Sequence, residues 1–322
     1  MFSGTIEQGL IYAIMSLGVY ISYKILDFAD MTVDGSFPLG GAISAAMLMK
    51  GYNPILALSM AMIGGSIAGF LTGIIHVKLK VSNLLAGIIV MTGLYSINLR
   101  IMGKSNIPLF GVKHLFNLDL SSKNLPIKND FILKNIDIVS RLVVVLILVM
   151  IVKNLLDYLL KTKFGFALKA LGDNESLIIG LGLNEQNLKI EGLMIANSLV
   201  ALSGGIYAQS QGFSDVGMGT GTIVIALASI IIGDALFGKL NFVKGTTVVI
   251  IGTVIYRFII AFALKIGLNP SDLKLVTSVL VVLIIITKIN KDKISNKMKK
   301  RKIFQETKDD KISNETKLEQ IK

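Results

Sequence analysis

One short run of residues has the spacing of a chemical motif. Gly233-Asp-Ala-Leu-Phe-Gly238-Lys239 matches the front of the glycine-rich loop that cradles nucleotide phosphates. That loop needs a Ser or Thr hydroxyl for Mg²⁺ directly after its lysine, and this chain has Leu240 there. The run also closes an apolar stretch instead of following a soluble strand. We therefore expect no nucleotide binding at this run.

The rest of the chain offers no catalytic residue. It contains no HExxH run, no GxSxG run and no paired carboxylates in a plausible polar cleft. The absence of cysteine excludes thiolate chemistry and Cys-ligated metals. The two histidines, His76 and His114, are far apart in sequence, which argues against a His-rich metal site. We expect a chain that is not catalytic by itself and binds no cofactor or metal.

The composition is that of a membrane protein. Of the 322 residues 52% are hydrophobic and 17% charged, and the mean hydropathy is +0.69. Soluble domains are nearer a quarter charged. Recurring apolar windows predict an all-α polytopic membrane protein with about nine transmembrane helices, which leaves no room for a soluble catalytic domain. The predicted spans are 9–26, 33–49, 54–76, 84–102, 138–160, 191–211, 223–238, 246–264 and 273–288.

The basic residues predict the orientation. Residues 287–322 hold 12 lysines and arginines against 6 acids. With a cytoplasmic C-terminus, the inner segments carry 20 basic residues and the outer ones 8, which is the bias expected of a plasma-membrane protein. We expect residues 1–288 to form the transmembrane domain and 289–322 a basic, disordered cytoplasmic tail. This charge fits a membrane-lipid surface better than nucleic acid.

The second span has an unusual composition. Within Val33-Asp-Gly-Ser-Phe-Pro-Leu-Gly-Gly41 lie an acid, a proline and three glycines. Hydrocarbon does not tolerate unpaired backbone groups, so the segment predicts a broken or partly re-entrant helix beside a solute path. The alternative is a cytoplasmic turn before a shorter helix that begins near Leu39.

Residues 161–190 are too charged to span the membrane. They contain two short amphipathic pieces, 164–171 and 175–179, joined by Gly172-Asp-Asn174. Such an insert is either a docking element or a helix resting on lipid headgroups. Its four glycines favour docking.

Elsewhere, the glycines four residues apart in the third span and Ser203-Gly-Gly205, which interrupts the sixth, indicate close helix packing. Arg257 lies mid-span, with Asp34 and Asp234 as candidate partners.

Several of these runs resemble a known family. Gly165–Asn174, Gly180–Asn184 and the glycine-interrupted helix through Ser203–Gly205 resemble the coupling region of the permease subunits of bacterial ABC importers for branched-chain amino acids, ribose and related solutes. The glycine-rich run 230–245 is similar to the same family. Ala29–Ala42 resembles a subgroup that includes predicted tryptophan/tyrosine importers. Two residues depart from the family pattern: Lys169 stands where Arg is common, and Asp234 where a second Gly is usual.

The resemblance implies a mechanism with partners. Two copies of the permease, as a homodimer, would form the path for a small polar solute such as an amino acid. A separate cytoplasmic ABC ATPase would bind ATP and Mg²⁺, and an extracellular solute-binding protein would deliver the solute. The residues implied in ATPase coupling are Phe164, Gly165, Lys169, Ala170, Gly172, Asp173 and Asn174. Those implied along the translocation path are Thr32, Asp34, Ser36, Phe37 and Pro38.

Two other functions remain open at this stage. A stand-alone secondary transporter also uses broken helices near the midplane, although these spans carry few of the buried acids that ion coupling needs. It would tolerate bulky residues at Gly165 or Asn174, whereas an importer would lose uptake. A membrane scaffold would restore no uptake at all.

Overall fold

The chain folds almost entirely into helices. A computed structural model describes residues 2–117, 130–238, 243–267, 272, 275–279, 282 and 286. The helices in order are α1 (Phe2–Val19, continued by a π-helical segment Tyr20–Ile25), α2 (Val33–Met49), α3 (Pro54–Leu79), α4 (Asn83–Met102), α5 (Asp130–Leu159), α6 (Lys163–Asp173), α7 (Glu175–Gly180), α8 (Glu185–Gln211), α9 (Thr222–Phe237) and α10 (Gly245–Lys265). Two strands, β1 (Asn106–Pro108) and β2 (Phe213–Asp215), and a 3₁₀ turn (Val216–Gly219) complete the fold.

Six helical segments in the described part of the chain are long and apolar enough to cross a membrane. They are Pro54–Leu79, Asn83–Met102, Ile138–Leu159, Glu185–Gln211, Val216–Phe237 and Gly245–Lys265. The all-α polytopic class is thereby confirmed, and the count of nine spans stays a prediction.

The chain divides into two units, Met1–Thr277 and Ser278–Lys322. All the helices named above belong to the first. Most of the predicted ninth span and the whole of the predicted tail, 289–322, lie outside the described residues.

Local sequence signals define where several helices begin. Asn53 accepts a hydrogen bond from the Ile55 amide and is followed by a proline, so α3 starts at Pro54. Thr162, Asn174 and Asn184 do the same for α6, α7 and α8 by accepting from backbone amides of the first turn. The capping side chains explain why the 161–190 segment forms two short helices and then a long one.

The helix α8 is the centre of the fold. In its apolar window 72% of the residues are buried, against 17% in α5, which exposes most of its surface for lipid. Both α2 and α3 pack along α8. The predicted interruption at Ser203–Gly205 is wrong: α8 runs unbroken from Glu185 to Gln211.

The predicted break inside residues 33–41 is also wrong. Helix α2 is continuous from Val33 to Met49 and contains Pro38. The non-helical stretch, residues 26–32, comes before it. At 17 residues, α2 is about 25 Å long, less than the roughly 30 Å hydrocarbon core. Pro38 is the sixth residue of α2 and removes one backbone hydrogen bond. Because α2 is buried in protein, this loss does not break the helix.

Glycine sets the distance between α8 and its neighbours. A Cβ at Gly40 would overlap the backbone of Ala201, and a Cβ at Gly204 would overlap the carbonyl of Phe37. On α3, Gly65 and Gly69 meet backbone carbonyls of α8 in the same way. The prediction that the α3 glycines and Gly204 serve close helix packing is confirmed.

The connecting segments gather at two opposite ends of the helices. At one end β1 pairs antiparallel with β2, and the Leu109 amide donates to the Gly212 carbonyl. Residues 103–117 and 212–221 therefore lie together, as the predicted topology requires; we call this the outer end. The opposite end of α8, next to α6 and α7, we call the inner end. Residues 80–82 lie there, beside Glu175 and Glu185.

Ion pairs join helices near the inner end. The Asp157 carboxylate accepts from Lys153 at 3.2 Å, from Lys244 at 2.9 Å and from the Thr246 hydroxyl at 2.6 Å, which ties α5 to the start of α10. Lys153 and Asp157 pair within α5 because they lie one helical turn apart, and the contacts from Lys244 and Thr246 place the end of α5 beside the start of α10.

The α2–α8 crossing makes a prediction about stability. Gly204→Ala should destabilise the protein by about 1–3 kcal/mol, because the added methyl group overlaps the backbone of α2. The matched control is Gly93→Ala on α4, where a Cβ meets nothing within 4 Å. The control should be neutral or stabilising by up to about 1 kcal/mol. Thermal unfolding midpoints in detergent measure both, and equal midpoints would contradict the proposed crossing.

Candidate functional site

Asp34, a residue of α2, forms hydrogen bonds to the beginning of α9. Its Oδ2 accepts from the Gly221 amide at 2.8 Å, and its Oδ1 accepts from the Ile223 amide at 2.8 Å and the Thr222 hydroxyl at 2.9 Å. Gly221 precedes α9 and has no side chain with which to cap it. The carboxylate of α2 therefore caps α9 and lies at the positive end of its dipole.

The five residues predicted along the path fall into two groups. Asp34 and Pro38 border a cavity of about 280 Å³ between α2, α4 and residues 216–220. The other three are fully buried in the helix bundle. Thr32 shares a 2.6 Å hydrogen bond with Thr72, Ser36 donates to Asn197 Oδ1 at 2.7 Å, and Phe37 stacks on an aromatic ring of α1. Their role in translocation stays a prediction.

Sequence reasoning missed a buried polar chain at the start of α2. The Asp30 Oδ1 accepts from the Thr32 amide at 2.9 Å, and Oδ2 accepts from Asn197 Nδ2 at 2.7 Å. Because Asn197 also accepts from Ser36, the chain links residues 26–32 and α2 to the middle of α8. The one signal in the sequence was that Asp30 is an acid next to an apolar span. An ordinary charged residue at the membrane surface gives the same signal.

Among the described residues, Arg257 makes an aromatic contact and no ion pair. Its guanidinium carbon lies 3.8 Å from the centre of the Tyr12 ring. Both acids considered as partners are engaged elsewhere. Asp34 caps α9, and Asp234 accepts from Lys24 Nζ at 2.6 Å. The face of Tyr12 therefore supplies the negative potential that this mid-span cation requires.

Some of the predicted coupling residues pack against the rest of the protein, and others are exposed to solvent. A Cβ at Gly165 would overlap the end of α5, and one at Gly172 would overlap the carbonyl of Ile25. Phe164 and Ala170 pack against the core, whereas Lys169, Asp173 and Asn174 are exposed. The Lys169 ammonium donates to the Leu160 carbonyl at 3.2 Å. A bulky residue at Gly165 would therefore disturb this chain's own packing, and it does not test contact with a partner cleanly.

Large apolar side chains point away from the protein on the two short helices. Phe166 is 61% exposed and Leu181 is 66% exposed, and Leu177 and Ile179 are similar. We call these four side chains the apolar patch. Phe164 was singled out from the sequence although it faces the core; Phe166, two positions later, faces outward. Both residues have partly apolar neighbours at helical spacing, so the sequence does not show which of the two faces outward. Only the packing of α6 against the bundle shows it.

The described residues contain no group of three His, Asp or Glu side chains that could hold a metal ion. Their arrangement places hydrogen-bond acceptors and apolar walls around the cavity beside α2, and exposed apolar side chains at the inner end.

Comparisons with known proteins agree on one family. Residues 1–287 match the family model described as the branched-chain amino acid transport system / permease component. A tyrosine transport system permease protein of Clostridioides difficile is 51% identical over 280 residues, which is 87% of this chain and 88% of that protein. No solved structure matches the chain.

Two further relatives are more distant. An uncharacterised protein of Rickettsia prowazekii is 34% identical over 85% of this chain and 92% of its own length. A probable branched-chain amino acid transport permease protein of Methanocaldococcus jannaschii is 27% identical over 77% of this chain and 76% of its own. These matches support the importer subunit over the stand-alone secondary transporter.

The cap on α9 makes a second prediction. Asp34→Asn removes the negative charge and leaves the Gly221 amide facing an NH₂ group, so it should destabilise the protein by about 1–2 kcal/mol. Asp173→Asn is the control, because Asp173 is exposed at the opposite end of the bundle. Thermal midpoints in detergent give the comparison. A wild-type midpoint for Asp34→Asn would show that the cap is not needed.

Proposed function

This chain belongs to the permease components of branched-chain amino acid transport systems, and from that family we propose that it forms the membrane path of an ABC importer for tyrosine or a similar amino acid. The observation that carries the substrate class is the 51% identity, over most of both chains, to a tyrosine transport system permease protein. The family makes the chain a multi-pass membrane subunit that does not catalyse a reaction.

In this proposal a separate ATPase supplies the energy. ATP and Mg²⁺ bind to that partner, and this chain holds no cofactor. The ATPase contacts α6 and α7 at the inner end through the apolar patch. Two features support this surface: its large apolar side chains are exposed outside the apolar spans, and α6 is fixed to the bundle by glycine contacts with α5 and the end of the π-helical segment. Because α6 is fixed to the bundle in this way, a displacement of α6 would move the rest of the bundle with it.

The same proposal assigns the two ends to the two sides of the membrane. The inner end, with α6 and α7, faces the cytoplasm, as does the C-terminus, because the predicted inner segments carry most of the basic residues. The outer end, with residues 103–117 and 212–221, receives the extracellular solute-binding protein. A second copy of this chain completes the path as a homodimer, with about nine membrane-spanning helices in each copy.

Solute movement then follows from rigid helix movement. Closure of the ATPase pair would tilt α6 and, through its contacts, α1 and α8. Since α2 is bonded to α8 and caps α9, all three would move together, and the outer cavity beside α2 would change shape. Thr32, Ser36 and Phe37 keep α2 attached to its neighbours, while Asp34 and Pro38 face the cavity.

The importer predicts ATP-dependent accumulation. Cells without their own tyrosine uptake, given this chain with its ATPase and binding protein, should concentrate labelled L-tyrosine. The control is the same system with the phosphate-binding lysine of the ATPase replaced, which should accumulate none. Accumulation with that inactive ATPase would instead indicate a secondary transporter, and no uptake of any amino acid would contradict the substrate class.

The docking surface predicts a selective loss of partner binding. Phe166→Ala should weaken co-purification of the ATPase by roughly 30-fold, the effect of about 2 kcal/mol expected for an aromatic anchor. Because Phe166 is exposed, the thermal midpoint of the permease alone should not change. Phe110→Ala is the matched control, since Phe110 is 85% exposed at the outer end. Equal ATPase recovery with both variants would count against the patch.

A further inference from the structure

The outer cavity has a wall of mixed chemistry. It holds about 280 Å³ between α2, α4 and the turn that precedes α9. Met91, Pro38 and Val216 give it apolar surface, and Thr92 and Tyr95 add hydroxyl groups. A cavity of this kind, mostly apolar with a few polar groups, is typical of a small-molecule site, and its volume suits a single amino acid.

Asn98 contributes an acceptor that has no partner in the described part of the chain. Its side chain borders the cavity and is fully buried. Its Nδ2 donates to the Gly35 carbonyl at 3.2 Å, while its Oδ1 bonds to nothing among the described residues. The Gly35 carbonyl can only accept a hydrogen bond, so the Asn98 side-chain amide must turn its NH₂ group towards it. This leaves Oδ1 as the atom without a partner. A buried acceptor without a donor is costly, so its retention here suggests that a ligand supplies the donor.

The charge around the cavity favours a cationic donor. Asp34 borders it with a carboxylate whose described partners are all neutral: two backbone amides and a hydroxyl. The ten described lining residues include no lysine, arginine or histidine. An anionic group would be repelled by Asp34, whereas an ammonium group would be attracted to it and could donate to Asn98.

We propose that this cavity binds the ammonium end of a zwitterionic amino acid. Asn98 Oδ1 accepts from the ammonium group, the charge of Asp34 stabilises it, and the apolar wall contacts the side chain of the solute. The inference rests on the proposed function and adds the position and polarity of the solute, with Asn98 as a residue that recognises it.

The absence of native cysteine allows a direct test. Tyr95→Cys puts one thiol on the cavity wall, at a position that is 58% exposed. Tyr52→Cys is the matched control, with 51% exposure and no part in the cavity. Each variant, in a nanodisc complex with its ATPase, reacts with a neutral methanethiosulfonate reagent in the presence of each amino acid in turn, beginning with L-tyrosine.

The transported amino acid should slow labelling of Tyr95→Cys at least fivefold and leave Tyr52→Cys unchanged. For tyrosine, the amine tyramine should also protect, and 4-hydroxyphenylpropionate, which lacks the ammonium group, should not. Normal uptake without protection by any amino acid would overturn this inference and leave the proposed function standing. If no amino acid is taken up and none protects, both fail.

A second variant separates recognition from stability. Asn98→Leu removes the acceptor with little change in volume, so it should raise the KM for uptake about tenfold or more while ATPase co-purification stays normal. A lower maximal rate with an unchanged KM would indicate a structural role for Asn98 and contradict the proposed contact.

Discussion

The close crossing of α2 and α8 is the contact on which the rest of the structure depends. A short helix that carries Asp34 and Pro38 is stable inside a membrane only if protein covers its polar backbone. Gly40 and Gly204 let the two backbones touch, and Ser36 bonds to Asn197 across the same crossing. With α2 held there, the Asp34 carboxylate reaches the first amides of α9.

This crossing relates the two ends of the molecule. Towards the inner end, α8 follows directly after α6 and α7, and Gly172 of α6 rests on the π-helical segment that continues α1. Towards the outer end, α2 and the 216–220 turn form the walls of the cavity. Packed helices therefore connect α6 to the cavity. In the proposed importer, a force applied to α6 by the ATPase would reach the cavity through them.

Much of the fold could be predicted from sequence because the apolar spans and helix caps are local signals. The amphipathic pieces predicted at 164–171 and 175–179 correspond to α6 and α7, and the glycines of α3 were recognised as packing residues. The sequence could not reveal that Pro38 lies inside an intact helix, because its tolerance depends on the burial of α2 by α8. The capping role of Asp34, the link from Asp30 to Asn197 and the exposure of Phe166 are also tertiary facts. Each joins residues distant in the chain or depends on the rotation of a helix against the bundle.

In the proposed importer, α6 and α7 transmit the action of an ATPase to the helix bundle. Hydrogen–deuterium exchange of the permease, with and without its bound ATPase, is the decisive measurement. ATPase binding should protect backbone amides of residues 163–183 and leave residues 103–117, at the outer end, unchanged. Protection confined to other segments, with exchange across 163–183 unaffected, would show that the ATPase does not act through α6 and α7.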